Sequence, residues 1–173
     1  IAGIVMMVKN PKLLASRLDA KEKQKEQGII IKLSGLMFVI GFIVAGLDYR
    51  FNLLQINKIY TYIFAVVLLL SYLMWAEVLR ENTYLSRTIR VEENQKVVDT
   101  GLYGIVRHPM YAATILLFLS MPLVLGSIIS FVIFLVYPFI IAKRIKNEEE
   151  VLEKELEGYA EYKKKVKYKM IPF

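Results

Sequence analysis

One histidine, one arginine and a run of glutamates bracket the longest uncharged stretch of this chain. The histidine stands in Gly101-Leu102-Tyr103-Gly104-Ile105-Val106-Arg107-His108-Pro109-Met110-Tyr111, and it is the only one in the sequence. The arginine and the glutamates stand in Lys143-Arg144-Ile145-Lys146-Asn147-Glu148-Glu149-Glu150. Nothing from Met110 to Ala142 carries a charge. His108-Pro109 fits a helix start, because proline at the first helical position gives up a hydrogen bond that the helix does not need there. The N–H groups of such a start suit a carboxylate, and Tyr111 follows within the first turn. Arg144 and Glu148 are four apart and share one face of a helix. As a plain surface pair they would contribute only about 0.3–0.5 kcal/mol, and Glu148-Glu149-Glu150 alone reads as a solvated face. Their place alters that reading. They lie one turn past an uncharged span, and ionisable groups at a membrane boundary are functional candidates. The chain has no cysteine, no glycine-rich phosphate loop and no cluster with metal-ligand spacing, so we expect no metal.

The elements that must position these groups are set by hydropathy. The 173 residues are 56% hydrophobic, with a mean hydropathy of +0.45, which soluble domains of this length rarely combine with long uncharged runs. The fold class expected is all-α: a polytopic integral membrane protein of about five transmembrane helices, with a helical hairpin in its C-terminal half and a cytoplasmic C-terminal helix. Residues 1–8 read as the tail of a hydrophobic helix. Ile29 to Leu47 and Ile59 to Ala76 each reach the roughly 20 residues that a span requires. Lys32 lies near the end of the first and can snorkel to the headgroups, and Tyr60, Tyr62, Tyr72 and Trp75 suit the interface. Gly41 and Ala45 form a small-residue pair that lets another helix approach. Met110 to Ala142 is too long for one helix, since at 1.5 Å per residue it would reach about 50 Å against a core of about 30 Å. Pro122 and Gly126 in its middle predict a hairpin of 109–124 and 127–146, with Pro138 kinking the second arm. Val97-Val98 reads as a short extended piece entering a turn at Asp99-Thr100-Gly101, and 146–165 reads as helix. The organisation expected is 1–79 as N-terminal transmembrane helices and 80–173 as a catalytic half.

Charge then orients the hairpin. Six basic residues fall in 9–28, two in 48–58, five in 80–107, none in the hairpin turn and nine from 143 onward. The positive-inside rule places 9–28, 80–108 and the C-terminus in the cytoplasm. Both polar islands therefore meet at one cytoplasmic surface. The net charge of +7 follows from this distribution, and no nucleic-acid partner is expected.

At these residues the chain resembles the isoprenylcysteine carboxyl methyltransferase family and the related phospholipid methyltransferases. The resemblance rests on Gly101-Leu102-Tyr103, Arg107-His108-Pro109-Met110-Tyr111, the hydrophobic hairpin, and Arg144-Ile145-Lys146-Asn147-Glu148-Glu149. Gly158-Tyr159-Ala160-Glu161-Tyr162 and Val166-Lys167-Tyr168-Lys169-Met170-Ile171-Pro172 resemble prokaryotic members, and Asn10-Pro11-Lys12-Leu13-Leu14-Ala15-Ser16-Arg17 is similar more weakly. The resemblance implies S-adenosylmethionine as methyl donor, with S-adenosylhomocysteine as product. By position it implies cofactor contacts at Gln95, Lys96, Val97, Val98, Tyr103, His108, Pro109, Met110, Tyr111 and Glu148, with Arg144 at the substrate. The tryptophans that eukaryotic members carry after Arg-His-Pro are absent, and Ala112, Ala113 and Thr114 stand there instead. That departure leaves the acceptor open.

The chemistry implied suits a dry membrane pocket. A sulfonium cation and a carboxylate neutralise each other as the methyl moves, so the protein chiefly aligns the reactants. A carboxylate is already ionised at pH 7 and needs no base. The partners expected are a lipid-tailed or prenylated substrate and the membrane lipids. Three readings compete: an N-methyltransferase of an amine lipid headgroup, which would need a base; a membrane reductase using a nicotinamide dinucleotide, whose relatives have many more spans; and a helical scaffold, which leaves the ordered polar set without a purpose.

Overall fold

The computed structural model describes residues 11, 14, 25–85 and 88–172, with the backbone alone at 25–27. Its elements are α1 (Lys25–Phe51), α2 (Lys58–Glu81), a 3-10 turn (Gly101–Gly104), α3 (Pro109–Val124), α4 (Ile128–Phe134), α5 (Tyr137–Glu155) and α6 (Tyr159–Lys165). The described chain is all-helical, as expected. The hydrophobic helix tail expected at 1–8, the motif at 10–17 apart from Pro11 and Leu14, and most of the basic connector 9–28 lie outside the described residues, as does Arg87.

Among the described residues, three stretches are long and apolar enough to cross a membrane: Gly28–Phe51, Lys58–Glu81 and Ile128–Glu155. The shorter apolar α3 accompanies them. Helices α1 and α2 present large apolar side chains outward, among them Ile29, Leu36, Ile43, Ile63, Leu69 and Leu73. A helix apolar on all sides belongs in lipid, and the protein is an integral membrane protein. Helix α2 packs along α3 and α1 along α4.

The hairpin forms where proline and glycine predict it. Pro122 lies inside the last turn of α3, and the reversal falls at Gly126, whose φ of +81° suits glycine. The Ser127 hydroxyl then accepts from Ser130 N at 3.1 Å and caps α4. The second arm is broken rather than merely kinked. Pro138 has no N–H to offer the Phe134 carbonyl, and the chain turns more tightly there, with Leu135 N to Val132 O and Val136 N to Ile133 O both at 3.3 Å. The helix expected over 146–165 is likewise two. Helix α5 ends at Glu155, and Gly158, with φ +83°, turns the chain into α6.

The small-residue pair on α1 is a packing device. The Gly41 carbonyl accepts from Ser130 Oγ at 2.8 Å, and a Cβ on Gly41 would lie 2.3 Å from the Phe134 ring. Phe134 is fully buried among Met37, Tyr137, Ile141 and Ile145 and has no room to yield. Gly41→Ala is expected to destabilise the protein by about 1–3 kcal/mol through overpacking. Gly46→Ala, where a Cβ meets nothing within 4 Å, is expected to be neutral or to gain up to about 1 kcal/mol of helix propensity. Melting temperatures in detergent check the contrast.

At the turn end of the bundle, Asp48 is completely buried. Its carboxylate accepts from Leu54 N at 2.8 Å and from Ser127 Oγ at 2.5 Å. Ile56 N reaches Gly126 O at 3.1 Å. The α1–α2 loop is thus tied to the hairpin turn, which leaves the opposite end free to carry the polar islands.

Candidate active site

At that opposite end the chain arrives through Gly101, whose φ is +51°. A Cβ there would overlap the Glu81 carboxylate, which accepts from Thr100 Oγ1 at 2.7 Å. The turn drives Tyr103 inward to 6% exposure, and Tyr162 donates its hydroxyl to the Tyr103 carbonyl at 2.8 Å. The following Arg107-His108 backbone pairs with the C-terminal tail: Arg107 N donates to Tyr168 O at 3.0 Å and His108 N to Lys169 O at 2.8 Å. Arg107 Nη1 donates to the carbonyls of Val166 and Lys167, each at 2.7 Å.

Both side chains of that pair converge on one buried carboxylate. Glu149 Oε1 accepts from Arg107 Nε at 2.8 Å and lies 3.1 Å from His108 Nε2. Lys163 Nζ and Lys169 Nζ stand 3.5 and 3.8 Å from its other oxygen. The neighbouring carboxylate faces elsewhere. The Tyr111 hydroxyl donates to Glu148 Oε2 and accepts from Arg144 Nε at 2.9 Å. Arg144 and Glu148 are therefore joined through Tyr111, one helix away, as well as by sharing a face of α5.

A cavity of about 880 Å³ opens onto these groups. Gln95, Lys96, Val97, Val98, Tyr103, His108, Met110, Tyr111, Arg144 and Glu148 all line it. Pro109 does not; it is fully buried at the start of α3. The polar end also takes in Asn82, Thr88 and Arg90. The cavity then continues between the helices, past Ile30, Ser34 and Phe38 of α1, Trp75 of α2, Thr114 and Leu117 of α3, and Ile141 of α5. It joins a charged zone to an apolar one. Tyr103 and Tyr159 also line it; Asn82 stands beside the Tyr103 hydroxyl, and among the described residues neither buried hydroxyl has an acceptor for its own O–H. Burial pushes both hydroxyls well above the usual phenol range, so both stay protonated and remain able to donate to a ligand.

Sequence reading missed Glu149 and the role of Arg107. The signal was present in α5. Tyr137, Ile141, Ile145 and Glu149 follow one another at intervals of four and are its buried residues. A glutamate that continues an apolar stripe is one the fold intends to bury. Tyr159 was noted only as part of a motif, and Asn82 and Trp75 carried no signal for this cavity.

A bundle of apolar helices with a cavity that is charged at one end and apolar along the rest belongs to an integral membrane protein with a built internal site. The sequence pattern of the isoprenylcysteine carboxyl methyltransferase (ICMT) family matches residues 61–154, more than half of the chain, and the chain belongs to that family. It is therefore a membrane carboxyl methyltransferase by family. No curated protein matches the chain.

Proposed function

We propose that this chain uses S-adenosylmethionine to methylate the carboxylate of a lipid-tailed substrate of the C-terminal isoprenylcysteine type, at a site facing the cytoplasm. The observation that carries the reading is one cavity in which the Arg144–Tyr111–Glu148 set passes directly into an apolar channel. The methyl group comes from S-adenosylmethionine, which supplies it on an electrophilic sulfonium sulfur and leaves as S-adenosylhomocysteine. The residues present suit such a donor. Glu148 meets its ammonium, and the protonated hydroxyls of Tyr103 and Tyr159 offer two donors that no described residue uses. At the start of α3, Tyr111 N and Ala112 N already bond the His108 carbonyl at 3.1 and 3.2 Å, and Pro109 has no N–H. The helix-start contribution to a carboxylate thus narrows to the Met110 N–H. Gln95, Lys96, Val97 and Val98 line the same cavity.

Arg144 holds the acceptor carboxylate, and its fork fixes the plane of the attacking oxygen. No base is required, because the carboxylate is already ionised at neutral pH. The apolar walls keep water from competing for the methyl group. The cytoplasmic orientation is supported by the basic residues at 80–107 and after 143.

The test is labelled methyl transfer by the purified protein to S-prenylcysteine analogues against phosphatidylethanolamine. Transfer to the carboxylate is expected; transfer to the amine alone would overturn the reading. Arg144→Lys is expected to raise the acceptor KM by about tenfold or more, because an ammonium cannot reproduce the bidentate contact. Donor affinity, measured by calorimetry, is expected to change by about threefold or less, since the charge beside Glu148 is kept.

A further inference from the structure

On each of the four apolar helices α1, α2, α3 and α5 that line the cavity, the lining ends, away from the polar groups, at an aromatic ring: Phe38, Tyr72, Phe118 and Tyr137 in turn. Three of these rings touch. Phe38 and Phe118 meet edge to face at 4.7 Å, Phe118 and Tyr137 at 4.9 Å, and Phe134 backs Phe38 at 5.3 Å. Edge-to-face contacts of this kind hold rings in place, and Phe134 behind them is completely buried. The rings are a built floor. Its depth follows from two helices independently. Tyr137 is seven residues from Arg144, and Phe118 is seven from Tyr111, so at 1.5 Å per residue each path gives about 10 Å. With carbon–carbon bonds of about 1.5 Å, an extended chain of roughly eight heavy atoms fills that depth.

We propose that the aromatic floor of Phe38, Phe118 and Tyr137 sets the length of apolar tail that the acceptor site prefers. This rests on the reading that Arg144 holds the acceptor carboxylate. With the head fixed there, each methylene added to the tail removes apolar surface from water until the tail meets the rings. Each addition before that point is worth about fourfold in kcat/KM, and additions beyond it have no further surface to cover. The floor is bounded on both sides for a test. Thr114, also lining the cavity, stands one turn nearer the polar end on the same face of α3, so a larger side chain there shortens the channel.

The experiment is a series of S-alkyl-thioether carboxylic acids of rising tail length, with kcat/KM measured on the purified protein in detergent. A rise followed by a break is expected. Phe118→Ala is expected to move the break several methylenes longer, Phe118→Leu by less, and Thr114→Phe to move it shorter. Calorimetric binding of S-adenosylhomocysteine to each variant establishes that its site is folded. A series without a break, or a break that stays in place in all folded variants, overturns the proposal. Donor binding with no transfer to any acid in the series overturns the carboxylate reading beneath it, and the proposal with it.

Discussion

Glu149→Ala unfastens the C-terminal tail from the rest of the site. The carboxylate it removes is 5% exposed and is shared by Arg107 and His108, with Lys163 and Lys169 on its other oxygen. Arg107, itself buried, would keep its bonds to the Val166 and Lys167 carbonyls but lose the charge that offsets its own. Leaving one member of a buried ion pair alone costs about 3–5 kcal/mol. At about 2–4 °C per kcal/mol for a chain of this size, the melting temperature in detergent should fall by about 6–20 °C. Glu149→Gln keeps the shape and one acceptor and should lose less. Glu150→Ala, on an exposed position one residue on, should stay within about 0.5 kcal/mol of the parent. The same variants should differ in protease cleavage near residues 166–172, because the tail pairs its backbone with Arg107 and His108. Equal melting temperatures for the alanine variants at 149 and 150 would refute the buried junction.

The hairpin was legible because its signals are local and strong. A long run without charge is too long to span once, and Gly126 marks the reversal. The polar set was legible for a related reason: a charge beside a membrane span is costly unless it is used. The parts that escaped depend on distant partners. Asp48 lies just past the expected Ile29–Leu47 span and drew no notice in the sequence, yet its partners are the Leu54 N–H and the Ser127 hydroxyl. The pairing of 168–169 with 107–108 has no periodicity to betray it, because two short extended backbones can meet anywhere. Glu149 escaped for a different reason. A triplet of glutamates reads as surface when taken along the chain. Taken around the helix, Glu148 shares the Arg144 face and Glu149 the Ile145 face, while Glu150 falls outside both. One turn of helix thus divides three identical residues among cavity, core and solvent.

That division bears on the second large effect, which falls on Glu148. Glu148→Gln keeps the length of the side chain and an oxygen for the Tyr111 hydroxyl, so the local packing should survive. What it removes is the negative charge facing the cavity. If Glu148 binds the ammonium of the methyl donor, that ammonium is then held beside Arg144 without an anion. Truncating one partner of a hydrogen-bonded charge pair costs about 2–5 kcal/mol, which is about 30-fold to several thousandfold in affinity. Calorimetry of S-adenosylhomocysteine binding reads this directly, without any acceptor present. Tyr111→Phe separates charge from geometry. It leaves both charges and deletes only the hydroxyl between them, with its hydrogen bonds to Glu148 and Arg144, so donor affinity, to which the hydroxyl contributes only through Glu148, should fall by about tenfold. The expected order is therefore Glu148→Gln well below Tyr111→Phe, with Arg144→Lys close to the parent. Arg144→Lys should instead be the worst of the three for the acceptor KM. Donor affinity unchanged in Glu148→Gln would remove the ammonium site from α5. It would leave the buried hydroxyls of Tyr103 and Tyr159 as the groups around which the donor would have to be placed.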